Sequence, residues 1–445
     1  MSTTVDQCED VRAGSSRDVR LAVLANIPVI TISYATGGLN GDLLQAYAVG
    51  ALGITPAVLG LTYGLMLVSI PVQFGAVAIV ERVGFRRTMV VGYSALLVLM
   101  VVLALVSRAP DPTGAFVVTV VLIEVVVSAS WGLAWHPWMQ QVVPRSERPR
   151  YLARAQSTAQ GFNIAMLAAF AALAGATASV VEYQAFLGLL AVFVVLSICA
   201  CRLLPEPVVS RRAEEIRPGV LTSVVAGYRR VWAGVESVRA SVPMRRLLLV
   251  YVIDVLLATP LLTGYAVVVL GMPAALVAFS IGARSLSGVV LGPLWGRFLE
   301  RHGVRRTVTL SLSAACVAKV LWLLLPADPG QGASTTTQVV FVVLTLVGAA
   351  LGIGYGLSMQ LLWYELAPVS DAVALFTLKD VLESGKAQLG TAVAGVLVSA
   401  AAAWTFSAGS VSVDAYKIAV LCGIPVAVVV IRIVSRIDVP GHSRT

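Results

Sequence analysis

Four ionisable side chains, Glu124, Asp254, Arg284 and Lys319, stand inside long apolar stretches of a 445-residue chain. A charge at the centre of a hydrocarbon layer costs ~2.5–3.5 kcal/mol or more, so each must face a cavity, a partner or water. A carboxylate in such a place is suited to exchanging a proton or holding a cation. Glu124 is followed by Ser128, Trp131, Trp135 and Trp138 at helical spacing, which aligns a carboxylate, a hydroxyl and three indoles on one stripe. Glu124 is the leading proton or cation site; a structural pairing or a wet outer vestibule is the alternative. Trp131 lies deepest and is the best placed to stack on a ligand, while Trp135 and Trp138 fall near the inner interface, where aromatic belts are common.

A second group gathers around Asp254. Tyr251, Asp254, Ala258 and Tyr265 share one broad helical face, and Arg284 is flanked by Ser280, Ser287 and Gly288. The axial depths of Asp254 and Arg284 differ by only ~6 Å from the rise per residue, so the two charges could pair, either as a fixed structural pair or as one coupled to transport. Tyr355, Ser358, Leu362 and Glu365 recur at helical spacing further on, and Asn26, Thr31 and Tyr34 supply polar groups near the start of the chain; Asn40, Asp42 and Gln45 belong to its outer mouth.

Other chemistries lack their residues. His136, His302 and His442 are scattered and form no metal or nucleophile set, although His136 beside Trp135 could shuttle protons if it is more than an interfacial histidine. The five cysteines have no disulfide or metal-ligand spacing, and no glycine-rich phosphate loop ends in Gly-Lys-Ser/Thr. An enzyme, a cofactor, a metal and a nucleic-acid partner are therefore not expected.

The elements that carry these residues are membrane helices. Hydrophobic residues make up 58% of the chain and charged ones 12%, outside the range of soluble domains. Twelve apolar runs begin near Leu21, Pro56, Thr88, Ala115, Ala155, Tyr183, Leu247, Ala274, Thr307, Val339, Leu375 and Tyr416, and each approaches the ~20 residues a spanning helix needs. The first twenty residues show no cleavable signal, so the first span is expected to direct insertion. Nearly all of the 32 Lys and Arg fall on one side when both termini are placed in the cytoplasm; Arg108 and Lys417 are the exceptions outside the spans. The expected organisation is a cytoplasmic tail (1–20), a six-helix bundle (21–204), a cytoplasmic linker (205–246), a second bundle (247–434) and a tail (435–445). In the linker, Val220, Val224, Tyr228, Val231 and Trp232 recur at helical spacing beside arginines, as in a helix lying in the inner interface, or as part of a solvated linker. Lys379, Asp380, Glu383 and Lys386 read as a salt-bridged cytoplasmic helix end without a substrate role.

The halves repeat. Glu81-Arg82-Val83-Gly84-Phe85-Arg86-Arg87 matches Glu300-Arg301-His302-Gly303-Val304-Arg305-Arg306 at five of seven positions, and Pro144 with Ser146 is echoed by Pro368 with Ser370. This parallel duplication resembles the major facilitator superfamily, whose loop between helices two and three carries a glycine, an acidic-Arg pair, a glycine and a basic pair. The second copy has the leading glycine, Gly296, where the first has Val77. Trp135-His136-Pro137-Trp138 with Val143-Pro144 and Arg148 is similar to bacterial members.

The resemblance implies an all-α membrane protein of twelve spans in two pseudo-symmetric halves, with spans one, four, seven and ten lining a central cavity. The expected substrate-binding set is then Glu124, Ser128, Trp131, Trp135, Tyr34, Asn26, Asp254, Tyr251, Arg284, Tyr355 and Ser358, with Glu124 and Asp254 coupling protons. Lys319, on a peripheral span, is expected to snorkel. Glu81, Arg82, Gly84, Arg86 and Arg87, with Gly296, Glu300, Arg301, Gly303, Arg305 and Arg306, would form gate networks with the cytoplasmic ends of the other half. The function implied is secondary transport in the plasma membrane by alternating access, with protons and membrane lipid as partners and efflux of a drug-like or secondary metabolite as the preferred direction. Drug–proton antiporters usually carry a glycine-proline motif on span five, and Gln160 to Gly175 has no proline. Import of a sugar or another small nutrient is the alternative within transport, and a non-transporting receptor the alternative outside it.

Overall fold

The computed structural model describes residues 44, 47–54, 56–174, 179–204, 206, 220–257, 266, 270, 272, 274–325, 334–403, 405–408 and 411–437. Its helices are α1 (Pro56–Leu65), α2 (Ser69–Val83), α3 (Phe85–Leu105), α4 (Pro112–Val127), α5 (Leu133–Val142), α6 (Arg148–Ala174) and α7 (Val180–Arg202). They continue as α8 (Val220–Ala240), α9 (Val242–Ile253), α10 (Ala274–Leu321), α11 (Thr335–Leu366), α12 (Ala372–Ala403) and α13 (Ala415–Ser435). Between α12 and α13 a short antiparallel hairpin pairs Thr405–Ala408 with Val411–Asp414, Thr405 opposite Asp414. The sequence expectation treats that stretch as a plain connection; its alternating Val411, Ser412, Val413 is nonetheless a strand pattern.

Among the described residues six segments are long and apolar enough to cross a membrane: Leu61–Val83, Phe85–Arg108, Pro112–Val142, Val180–Arg202, Thr335–Leu366 and Ala415–Ser435. Their packing shows why lipid is the solvent. On α3, Met89, Tyr93, Leu96, Met100 and Leu103 are buried, yet Val91, Val98 and Leu105, at seven-residue spacing, are about half exposed or more. A helix apolar on both its packed and its outward face suits a hydrocarbon surround and would be a liability in water.

Helix starts are written locally. Asp111 accepts the Gly114 N–H at 3.0 Å ahead of α4, with Pro112 in its first turn. Ser179 and Glu182 form a capping box on α7, Ser241 caps α9 and Asp414 accepts the Lys417 N–H at 2.9 Å at α13. Each satisfies an otherwise orphaned amide.

The chain packs as two compact units. The first comprises Met1–Tyr151, Ala165–Ser237 and Ala367–Val381; the second comprises Leu152–Ile164, Val238–Leu366 and Leu382–Thr445. The division thus passes through α6 and α12. In the first unit α3 lies along α7 and α4. In the second, α10 reverses at Gly303 and packs along α11 and α13, and Trp322, Leu325, Phe341, Leu344, Tyr416 and Val420 share one apolar cluster.

The duplication is visible in backbone geometry. Gly84 (φ 92, ψ 153) and Gly303 (φ 74, ψ 171) take the same extended positive-φ conformation, open essentially only to glycine. Four residues later Thr88 and Thr307 return their hydroxyls to the carbonyls of those glycines at 2.8 and 2.9 Å. The second echo repeats too: Pro144 and Pro368 each open a single 3-10 turn, closed by Glu147 N–H to Pro144 O at 3.0 Å and Asp371 N–H to Pro368 O at 3.1 Å.

Candidate functional site

In the first unit the stripe on α4 and α5 is assembled around a π-helical turn, Ser128–Gly132, which separates the two helices. Such turns insert one extra residue and are frequent at functional sites. Glu124, at the last turn of α4, accepts a hydrogen bond from Ser128 Oγ at 2.9 Å. Trp131 stacks on Trp135 (ring centroids 6.5 Å, interplanar angle 17°), and Trp135 on Trp138 (5.4 Å, 30°). Trp135 and Trp138 are buried, and the indole N–H of Trp131 is buried with no hydrogen-bond partner among the described residues. Asn26 and Tyr34, with Thr31, Asn40, Asp42 and Gln45, lie outside the described residues.

The second unit brings Asp254, Tyr355 and Tyr251 together. Asp254 begins the 3-10 turn that ends α9; its Oδ2 accepts the Tyr355 hydroxyl at 3.1 Å, and Tyr251 packs edge-on against Trp363 at 5.1 Å. The expected partner of Asp254 is corrected. Lys386 of α12, not Arg284, holds the carboxylate, with Nζ 2.8 Å from Oδ1 and 4.9 Å from the centre of the Tyr251 ring. Lys386 therefore does not end an intrahelical salt-bridge ladder. A side chain on α12 can reach α9 because both belong to one packed unit, a proximity that spacing along α12 cannot reveal. Glu383, one turn earlier, also acts electrostatically on Asp254. Arg284 is half-buried on α10, where its carbonyl accepts the Ser287 hydroxyl. Ser358 is buried and donates to Gly354 O at 2.8 Å, so its hydroxyl is spent on its own helix.

Lys319 is a second correction: it does not snorkel. It is buried within the second unit and donates to the carbonyls of Leu257 (3.1 Å) and Val420 (3.4 Å). Carbonyl oxygens at the end of the α9 turn and on α13 replace the water that a lipid-facing lysine would seek. Lys417, expected on the outer side at the start of the last span, is buried, its ammonium donating to Leu325 O.

In the duplicated loops, equivalent arginines do equivalent work. Arg86 donates to Leu204 O, two residues past α7, and Arg305 donates to Ile437 O, two residues past α13. Each guanidinium supplies the positive charge and donors that a helix C-terminus lacks. The described partners of the first loop lie within the first unit. Glu81 pairs with Arg230 of α8 at 3.4 Å, and Glu206, which the sequence does not single out, accepts the Arg86 N–H at 3.1 Å and stands 3.8 Å from its guanidinium. Gly84 makes room for that carboxylate, since a Cβ there would meet Glu206 Oε1 at 2.7 Å. Arg82 and Gly296 are half-buried and buried; Arg87, Glu300, Arg301 and Arg306 are exposed.

Over residues 27–378, most of its length, the sequence matches the model of the Major Facilitator Superfamily. The chain belongs to that superfamily. No curated protein sequence matches it significantly. Solved structures agree on the superfamily's fold. A proton:xylose symporter, XylE, bound to 6-bromo-6-deoxy-D-glucose superposes with TM-score 0.68 at 11% identity, covering 95% of each chain. A bacterial homologue of the iron transporter ferroportin, outward-facing with soaked iron, gives 0.65 at 11% identity over 94% of this chain and 97% of that one. The human organic anion transporter MFSD10 gives 0.63 at 15% identity over 94% and 98%. As a superfamily member the chain is a multi-pass membrane protein and a secondary transporter of small molecules rather than an enzyme, with the all-helical fold expected from its repeat.

Proposed function

We propose that this transporter exports an amphipathic organic solute in exchange for protons, with Asp254 as the exchanging carboxylate. The carrying observation is the contact of Asp254 with Lys386 at 2.8 Å inside a membrane bundle. Asp254, Glu383 and Lys386 together hold one more negative than positive charge, so the cluster has room for one further positive charge: a proton on Asp254, or a cationic group of the solute. A site that accepts either but not both is the elementary requirement for exchange. Protonating Asp254 discharges the carboxylate and releases Lys386, which lies beside the Tyr251 ring.

The stacked Trp131 and Trp135, with the indole N–H of Trp131 unbonded among the described residues, support an aromatic or amphipathic solute in the first unit, where Ser128 lies one turn and Glu124 two turns from Trp131. Stacking faces with few fixed charges favour such a molecule over a densely hydroxylated one. In this proposal the six-helix halves, 21–204 and 247–434, rock about the linker 205–246 to expose the site alternately, in a plasma membrane with both termini in the cytoplasm.

Reconstitution into sealed vesicles with an imposed pH gradient tests it, following hydrophobic fluorescent dyes and neutral monosaccharides in parallel. Dye movement against the proton gradient, lost in Asp254→Asn, is expected. Uptake of a monosaccharide with the gradient would replace export by import, and failure to move any solute in a sealed, folded preparation would remove the transport assignment of the site.

A further inference from the structure

A second buried charge cluster lies in the first unit, where the first turns of α12 pack. Gly132, which ends the π-turn, and His136 and Gln140 of α5 fall one turn apart and all face the segment 367–380. A Cβ on Gly132 would stand 3.1 Å from Asp380 Oδ2, His136 Nε2 is 3.9 Å from Asp380 Oδ1, and Gln140 Nε2 donates to Ala367 O at 2.7 Å. Lys379 Nζ is 3.5 Å from the same Asp380 Oδ1. His136 and Lys379 are buried, and the imidazole is flanked by Trp131 at 5.7 Å and stacked on Phe376 at 5.5 Å and 15°. We propose that His136, Asp380 and Lys379 form a second proton-binding site, separate from the Asp254–Lys386 pair, and that the bound proton clamps α12 to α5.

The argument is one of charge and distance. With a neutral imidazole, Asp380 and Lys379 balance, and the His136–Asp380 separation exceeds hydrogen-bond range. A proton on His136 makes it a cation facing the same carboxylate oxygen. That attraction acts where aromatic rings exclude water and the local dielectric is low. Among the described residues the charges facing His136 are Lys379 and Asp380, both from α12; α5 and the π-turn contribute Trp131 and Gln140. The loss of hydration on burial and the Lys379 charge both oppose the proton while Asp380 favours it, so removing Lys379 and removing Asp380 have opposite effects. Gly132 and the π-turn have a place in this account: a side chain at 132 would push the carboxylate away. Six residues beyond Asp380 on the same helix, Lys386 holds Asp254, so a clamp on the start of α12 bears on the helix that carries the exchange pair. Only this last link rests on the proposed function.

Trp131 is a built-in reporter, because an imidazolium quenches a neighbouring indole and a neutral imidazole does so less. Intrinsic tryptophan emission of the full-length protein in lipid vesicles, titrated from acid to alkaline pH without substrate, is expected to rise through one transition. That transition is expected to vanish in His136→Gln and to shrink in Trp131→Phe. Asp380→Asn is expected to move it to lower pH and Lys379→Met to higher pH, each by roughly one unit or more. A purely structural contact would produce no such opposed pair. An unchanged transition in His136→Gln, or shifts of the same sign in the two charge variants, overturns the site. If Asp380→Asn is not recovered folded, the direction of the Lys379→Met shift decides. Asp254→Asn is expected to keep the transition, so loss of pH-driven transport with the transition intact separates the two proton sites. Transport that needs no proton, beside a His136-dependent transition, would refute the role of Asp254 and leave this site standing.

Discussion

Asp254 is held by donors from two other helices, Lys386 and Tyr355, and it is the pair rather than either residue that makes the arrangement tolerable inside a membrane. Deleting one partner of a fully buried ion pair typically costs about 3–5 kcal/mol, and the loss is smaller here because Lys386 is half-buried while Asp254 is buried. Lys386→Met is therefore expected to lower the thermal unfolding midpoint of the purified protein markedly, and adding Asp254→Asn is expected to restore much of it. The double variant should fold yet fail to respond to a pH gradient; restored gradient-driven transport would reduce the pair to a structural one. Glycine makes a second residue-scale case. Gly84→Ala and Gly303→Ala both force a side chain into a conformation that costs about 1–3 kcal/mol, but only at Gly84 would the Cβ also strike a carboxylate, that of Glu206, whereas Gly303 faces open space. Gly84→Ala is expected to be the more destabilising of the two in a thermal-shift measurement.

At the scale of elements, the seating of α8 depends on small side chains. A Cβ on Gly227 would meet the carbonyl oxygens of Phe74 and Gly75 at 2.5 and 2.7 Å, and one on Gly234 would meet Ala374 at 3.2 Å, so α8 seats closely against both α2 and the first turn of α12. Tyr228 donates to Pro71 O at 2.9 Å and Arg230 reaches Glu81. Gly227→Val removes that seat, and the exposed Arg229, Arg230 and Arg239 should then become faster sites of tryptic cleavage. An unchanged cleavage rate would mean that α8 is held by something other than this close approach. Val225, Trp232 and Tyr228 remain exposed on the seated helix, beside arginines, the composition of a helix at a membrane surface.

For the whole molecule, topology is the property on which all the rest depends. A parallel repeat predicts that the loops at Gly84 and Gly303 open to one side of the bilayer, and the arginine bias predicts that this side is the cytoplasm. Cysteines introduced at Arg87 and Arg306, both exposed, in a background lacking the native five, are expected to react with a membrane-impermeant maleimide in inside-out vesicles and to be protected in intact cells. Labelling of the two from opposite faces would be incompatible with the parallel repeat.

Membrane residence, the helical class, the duplication and the superfamily were all legible in the chain, because they rest on local quantities: run length against bilayer thickness, and a seven-residue turn whose glycines have no alternative. The Glu124–Ser128 bond and the tryptophan stack were legible for the same reason, since their members are neighbours along one helical path. Partners across helices were not. Asp254 took Lys386 instead of Arg284, Lys319 turned inward to carbonyls, and Asp380, beside Lys379 on its own helix, also faced His136 of α5. Each was settled by which helices pack into one unit, and α12, divided between the two, shows why. A charge pattern along one helix states which groups need partners, while only the packed bundle brings a particular partner within a few ångströms.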